Sequence, residues 1–475
     1  MDIKETVMKA PKWENYLTDS PKLREAISVL SQIEKAGYEA YIVGGTPRDM
    51  ILGKSEIDDI DIATNCPINM LDKMFSTYDI GQSRDFGIVR VRSQRKYFEV
   101  AQFRQDGEYK DGRRPEDVQI VDNLQADIRR RDFTINALAL TKDGEIIDHI
   151  DGISDIESKI IRAVGDPYKR FEEDFVRMIR AARFGAIEGF TIADDTYEAI
   201  KKMSHHVTKV TPERARLELI KAANRSGKMF AKFVVLLEEF TLLKHILPEV
   251  SDLKNFPHIL EHHPEGPAVW DHVVKCLEIS DDHYLSKLAI LLHDIGKART
   301  LKYKANGSPQ YYYHAKLGSR MVADVCDRLR FSSFEKEALV YATENHMKWH
   351  RILEMKPSKI ARMLESPYFE TLLDVCRADQ FSRGEAFMYK EEFEKQLKKV
   401  LDVKEKWEDR IVEHKLKLVD GKRIMELTGL KPCAAVGIVK KDVEDEIVDN
   451  GIDPQNQKEI DDLIMSTYGR YYETA

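Results

Sequence analysis

The stretch YIVGGTPRDMILGKSEIDDIDIAT, from Tyr41 to Thr64, decides how the chain is read. Its apolar run Tyr41-Ile42-Val43 reads as a short strand ended by Gly44-Gly45. Ile60 and Ile62 alternate with carboxylates, so DIDIAT reads as a second strand. Residues two apart on a strand share a face, which sets Asp59 and Asp61 side by side. Two adjacent carboxylates repel each other unless a cation lies between them. Mg2+ suits such a pair, because it takes hard oxygen ligands and shares them with substrate phosphates. Gly44 and Gly45 let backbone N–H groups come close to an anion, and Arg48 adds a cationic fork. Metal ligands beside a phosphate cradle are the core of a phosphoryl- or nucleotidyl-transfer site. The competing reading is a solvated acidic strand beside a tight turn.

Outward from this stretch, Leu23, Ile27, Leu30 and Ile33 recur at spacings of three and four, which predicts a helix over 22–36 with Gly37 at its end. Phe86–Arg92 and Tyr97–Phe103 read as paired strands. Residues 103–118 are polar and read as a loop. Beyond Ile160 the period turns helical: Phe171, Phe175, Met178, Ile179 and Ala182 form one stripe. Pro257, Pro264 and Pro267 punctuate a loop between two helical blocks, and Lys390–Leu418 reads as long, exposed helix. The fold class is α+β, a small mixed β-sheet followed by an all-helical remainder.

Of the 475 residues, 43% are apolar and 33% charged, which excludes a disordered chain and a collagen. Runs such as Phe233–Leu237 are far shorter than the ~20 residues of a membrane span. The first residues lack a secretory signal's apolar core, so a cytoplasmic protein is expected. The formal charge of −8 does not announce a nucleic-acid binder, which shifts attention to local patches. The five cysteines form no CxxC pair, so a disulfide framework or a cysteine zinc site is not indicated.

GGTPRD followed by DIDIAT resembles the first signature of the class II tRNA nucleotidyltransferase/poly(A) polymerase family. RRRDFTINALA (129–139), DHIDG (148–152), RFEEDFVRMIRAARF (170–184) and TPERARLEL (211–219) resemble its second to fifth signatures, in order. LVDGKRIMELTGLKPCAAVG (418–437) resembles its tail. Two departures stand out. Thr46-Pro47 replace an apolar residue and Val, and Cys433 stands where glycine is usual. The resemblance implies a nucleotidyltransferase head (1–150), a helical neck (151–255), an HD domain (256–388) and a helical tail (389–475).

In such a protein Asp59 and Asp61 are the catalytic ligands of Mg2+, with Glu99 a third candidate that could instead pair with Arg90 or Arg92 across strands. The resemblance implies that Gly44, Gly45, Arg48, Arg131, Asp132, Asn136, Asp174, Arg177 and Arg180 bind substrate. Asp132 would lie near the ribose. Asp174 and Arg177, three apart, would together present a hydrogen-bonding edge to CTP or ATP. Glu173 would support them. An ordinary ion pair is the plainer account. The 103–118 loop is tied in the family to A addition, with Arg113 and Arg114 on it.

His272, His293, Asp294 and Asp379 occur in the order of an HD-type metal site, a second place for a divalent ion, with His314 and His346 between. LAILLHDIGK puts two polar ligands at the end of an apolar helix. A metal-bound hydroxide there could cleave phosphate esters. Lys201, Lys202, Lys209, Arg214, Arg216, Lys221 and Arg225, with Lys422, Lys431, Lys440 and Lys441, could track RNA phosphates.

The expected activity is template-independent addition of CCA to tRNA from CTP and ATP, with neither a membrane nor an obligatory protein partner. Poly(A) synthesis and partial (CC-only or A-only) addition are alternatives. An HD phosphohydrolase or a non-catalytic RNA binder would belong to other classes.

Overall fold

The computed structural model describes residues 5–472 except 56, 58, 82, 107–117, 188, 259–263, 281–282, 384–386, 415–418 and 454–455. The loop expected over 103–118, with Arg113 and Arg114, therefore lies mostly outside the described residues. The chain forms two compact units, one of residues 1–222 and 229–248, the other of residues 223–228 and 249–475.

The first unit is built on strands β1 (Thr6–Lys9), β2 (Ala40–Val43), β3 (Asp61–Thr64), β4 (Ser76–Tyr78), β5 (Ile88–Ser93), β6 (Lys96–Gln102), β7 (Arg104–Asp106), β8 (Val118–Ile120), β9 (Ala139–Leu140) and β10 (Glu145–Asp148). Eight of them form a sheet in the order β1-β10-β9-β2-β3-β6-β5-β4, and β7 pairs with β8 alone. The β3–β6 ladder is parallel and the other ladders of the large sheet are antiparallel. The register sets Val43 opposite Asp61, Asp61 opposite Glu99 and Glu99 opposite Arg90.

Local chemistry explains the elements that carry the site. Helix Pro21–Lys35 has Pro at its first position, and the Ser20 hydroxyl accepts from Leu23 N at 3.1 Å. Its apolar stripe is buried at Leu23, Ala26, Val29, Leu30 and Ile33. Gly44 has φ +81°, a left-handed conformation that frees β2 to turn into helix Gly45–Ile51. Pro47 falls in the first turn of that helix, where backbone N–H groups lack intrahelical partners and proline costs little. Thr46 donates its hydroxyl to Asp59 O at 2.9 Å, pinning the turn to the acidic segment. The unusual Thr46-Pro47 pair is thus accommodated. Cys433 caps helix Ala434–Asn450 with extended backbone (φ −158°), which any residue adopts, so its departure from glycine carries no strain.

The stripe from Phe171 to Ala182 is buried throughout. It is not one helix. Asp174 is extended (φ −156°) and separates helix Pro167–Glu173 from helix Val176–Gly185.

Among its described residues the second unit has helices and only the two-residue strands Lys302–Tyr303 and Pro309–Gln310. Helices Val269–Glu278, Tyr284–Leu292, His314–Arg328, Ser333–Trp349 and Phe369–Ser382 surround one polar cluster. Helix Phe387–His414 runs 28 residues, helical as expected, but it is not exposed all round: Phe393, Gln396 and Val400 are buried. Residues 418–472 have a core of their own, Val419, Ile424, Val439, Val443, Ile447, Ile460 and Ile464. Among the described residues no helix is long and apolar enough to cross a membrane. The five cysteines are unpaired.

Candidate active site

The row of carboxylates on the sheet has the expected place and a different backbone. Asp61 opens β3, while Asp59 precedes the strand and is exposed. The Gly44 turn lies against Asp61: a Cβ on Gly44 would sit 3.5 Å from Asp61 Oδ2 and 3.9 Å from Arg131 Nη1. Burial, with Asp59 and Glu99 nearby, pushes the Asp61 carboxyl up to about 6, against the pull of Arg131. Glu99 lies 3.6 Å from Arg90, the cross-strand pairing of its plainer reading. Crowded hard oxygens beside an open glycine turn fit a divalent ion such as Mg2+.

Arg48 corrects the sequence reading. It is buried, and its guanidinium is held by Asp49 at 2.9 Å and by the Asn136 side chain. It braces the turn to the second signature instead of offering an open fork for phosphate.

The second signature also differs from a simple helix start. Helix Leu124–Arg129 ends at the arginines, and Thr134–Asn136 form a 3-10 turn. Arg130 and Arg131 both bind Asp127, at 2.7 and 2.9 Å. Burial alone would raise the Asp127 carboxyl, but the two guanidiniums hold it below its ordinary range. Asp132 Oδ1 accepts from Phe133 N at 2.8 Å and from Asn136 at 3.2 Å, while Oδ2 accepts from Arg180 Nε at 2.7 Å. Burial opposes its ionisation, yet Arg180 and Arg177 bring it down to about 2.

Asp174 and Arg177 are not an ion pair and do not share a helix. Arg214 grips both Asp174 oxygens, at 2.9 and 2.5 Å. Arg177 is bound by Glu173 and donates to Arg170 O at 2.8 Å and Arg130 O at 3.0 Å. Glu218 binds Arg183 at 2.6 Å and lies 3.7 Å from Arg180. The fifth signature therefore supplies Arg214 and Glu218 as the frame of the fourth. Arg214 is committed here and leaves the proposed basic track.

In the second unit His272, His293, Asp294 and Asp379 converge, joined by His314 and His346. His272 Nε2 lies 3.2 Å from Asp379 Oδ1 and 3.8 Å from Asp294 Oδ2. His293 Nε2 is 3.3 Å from Asp294 Oδ2, and His314 Nε2 is 3.4 Å from Asp294 Oδ1. The remaining ring nitrogens of His293, His314 and His346 face backbone carbonyls, at 2.8, 2.8 and 2.7 Å. That arrangement turns Nε2 inward, the usual preparation of a metal-binding imidazole. Buried His293 Nε2 makes no hydrogen bond, and three imidazoles and two carboxylates converge on it, so the donor set fits a divalent ion. Burial, with the His293 and His314 rings nearby, pushes His346 down to about 3, which keeps it neutral. A Cβ on Gly296 would lie 2.1 Å from His314 O, so only glycine lets His314 come this close. The cluster opens into a cavity of about 340 Å3, walled by Lys297, Tyr311, His350 and Arg383.

Residues 40–162 match a family described as the poly A polymerase head domain, 189–254 the probable RNA and SrmB-binding site of polymerase A, and 269–384 the HD domain. These three matches fall in the order that the resemblance to the tRNA nucleotidyltransferase/poly(A) polymerase family implies. It is 38% identical over 263 residues to the CCA-adding enzyme of Bacillus pumilus, covering 54% of this chain and 64% of that one. It is 46% identical over 194 residues to the CCA-adding enzyme of Levilactobacillus brevis, covering 41% and 48%. The matches thus span from about half to just under two thirds of these relatives. Its fold superimposes on the Bacillus stearothermophilus CCA-adding enzyme in complex with CTP (TM-score 0.71, 25% identity, 96% and 100% covered). It also superimposes on a Thermotoga maritima CCA-adding enzyme complexed with tRNA_CCA (TM-score 0.56, 18% identity, 97% and 99% covered), a likeness of fold.

The sequence patterns left several participants of these sites unseen. Asp127 was findable, because it stands three and four residues before two arginines. Glu265, 2.7 Å from His272, and His350, 3.2 Å from Asp379, carry no motif signal of their own.

Proposed function

We propose that the protein adds C, C and A to the 3′ end of tRNA, using CTP and ATP without a template. The observation that carries this is Asp61 lying against the Gly44 turn, with Asp59 tied to the same turn through Thr46. In this reading Asp59 and Asp61 hold Mg2+. Divalent ions bound there neutralise triphosphate charge and favour ionisation of the attacking 3′-hydroxyl. Gly44 and Gly45 give the phosphates a close approach. Asp132, fixed as an anion by Arg180, accepts from ribose hydroxyls and so favours NTP over dNTP. Asp174 and Arg177, held separately by Arg214 and Glu173, present one acceptor and one donor to the base. Arg48 and Asn136 act as a brace between turn and nucleotide site.

The head would span 1–150, the neck 151–255, the HD domain 256–388 and the tail 389–475. Lys201, Lys202 and Lys209 with the tail lysines would follow RNA backbone. Acting on tRNA, the protein would work in the cytoplasm.

Incubation with tRNA lacking its 3′ terminus, with each NTP singly and then together, tests this. Sequenced products ending in CCA support it. Long A tails on any RNA would instead support poly(A) synthesis.

A second reading is carried by the buried cluster: His272, His293, Asp294 and Asp379 hold a divalent ion, and the domain hydrolyses phosphate esters. Phosphatase assays on the metal-loaded chain, with Asp294→Ala as comparison, test it.

A further inference from the structure

Three of the four imidazoles in the HD cluster are oriented in the same way, by a backbone carbonyl three residues upstream. His272 is the exception. Its Nδ1 faces Glu265 Oε1 at 2.7 Å, and both side chains are buried. Ser382 Oγ also lies near Nδ1, at 3.2 Å, but its hydroxyl is directed to Asp379 O at 2.8 Å. A carboxylate can only accept, so the proton in the short contact belongs to Nδ1. With Nδ1–H kept by Glu265, Nε2 is the nitrogen turned toward Asp379 and Asp294, and the one an ion bound there would take.

We infer that Glu265 is a positioning residue, a carboxylate that fixes the tautomer and ring orientation of His272 for metal binding by Nε2. This rests on the reading that the HD cluster holds a divalent ion. A carboxylate behind a metal-binding imidazole raises its basicity as well as aligning it, which a backbone carbonyl does less strongly.

The rival role for Glu265 is that of a ligand, since its oxygen, His258 and His272 lie within 4.8 Å of one another. Lys297 argues against that. Its ammonium lies 2.9 Å from His258 Nε2 and 2.6 Å from Asp294 Oδ2, so a cation already stands beside His258. His258 Nε2 accepts from that ammonium, so that nitrogen is not offered to an ion.

The test uses the full chain carrying Asp59→Asn and Asp61→Asn, so that metal binding reports on the HD cluster. Metal-stripped protein is titrated with Co2+, followed by calorimetry and by visible absorption. Glu265→Ala is expected to weaken Co2+ binding roughly 10- to 100-fold, with the number of ions unchanged and the absorption bands shifted. Glu265→Gln, whose amide oxygen still accepts from Nδ1, is expected to recover most of the affinity. Glu265→Asp, which withdraws the oxygen by one methylene, is expected to bind weakly and keeps the test open if the alanine variant fails to fold. Unchanged affinity in Glu265→Ala or Glu265→Asp overturns the inference. So does the loss of one ion per chain, which would make Glu265 a ligand. If the parent protein binds no Co2+, the metal reading fails, and this inference with it.

Discussion

Arg214 holds Asp174 in a two-pronged ion pair, Nη1 to Oδ1 at 2.9 Å and Nη2 to Oδ2 at 2.5 Å. The pair links the fifth signature to the fourth and leaves Arg177 to Glu173 and two backbone carbonyls. A template made of protein works only if its acceptor and donor stay fixed while RNA and nucleotide change. Arg214→Ala is therefore expected to lower kcat/KM for CTP by roughly 10- to 100-fold, the equivalent of a charged hydrogen bond, and to raise misincorporation. Single-nucleotide incorporation kinetics with CTP, ATP, UTP and GTP check this. Unchanged selectivity would remove Asp174 from base selection.

Asp132 gives a prediction for stability. Its carboxyl is brought to about 2 by Arg180 and Arg177 despite burial. A depressed carboxyl contributes stability above its ordinary value, near 4, and loses it as pH falls toward 2. Asp132→Asn is expected to cost about 2–3 kcal/mol at pH 7, at the lower edge of a buried pair because Arg180 is partly exposed. The deficit should shrink as pH drops from 4 to 2. Denaturant melts across that window measure it.

Asp61 has the opposite sign. Its carboxyl is raised to about 6, so its ionised form costs stability, and that cost enters as pH rises from about 4 to about 6. Without divalent metal, Asp61→Asn is expected to be more stable than the parent at pH 8 by about 2 kcal/mol. With Mg2+ present, a proton competes for the same oxygen, so apparent Mg2+ affinity should weaken as pH falls below about 6. Thermal melts and Mg2+ titrations at pH 5 and 8 show whether it does.

The two sites also separate by mutation. Asp294→Ala is expected to abolish divalent-ion retention by the HD cluster while tRNA extension continues. Asp59→Ala should do the reverse. Metal analysis beside an extension assay reads both. Loss of extension in Asp294→Ala alone would shift the main activity to the HD domain.

Much of this was legible in the sequence where information is local. The Gly44-Gly45 turn, the strand before it and the helix over 21–35 follow from apolar spacing and backbone freedom. The HD residues were identifiable as a set because two polar groups at the end of LAILLHDIGK have no packing purpose. What failed was geometry set by tertiary partners. Asp174 interrupts a stripe that stays buried on both sides of the break, so periodicity could not reveal it. Arg48 reads as an open fork until Asp49 and Asn136 are seen to occupy it. Arg214 reads as one cation of a basic patch until Asp174 arrives from 40 residues away.

The most direct measurement is single-turnover incorporation of labelled CTP and then ATP onto tRNA lacking its 3′ terminus, in Mg2+, by the parent protein, Asp59→Asn and Asp61→Asn. The parent should add C, C and A in order. Each variant should still bind tRNA while incorporation falls by about a thousandfold or more, the scale of a transition-state contribution of roughly 4 kcal/mol. Full incorporation by either variant, or none by the parent, would contradict the account.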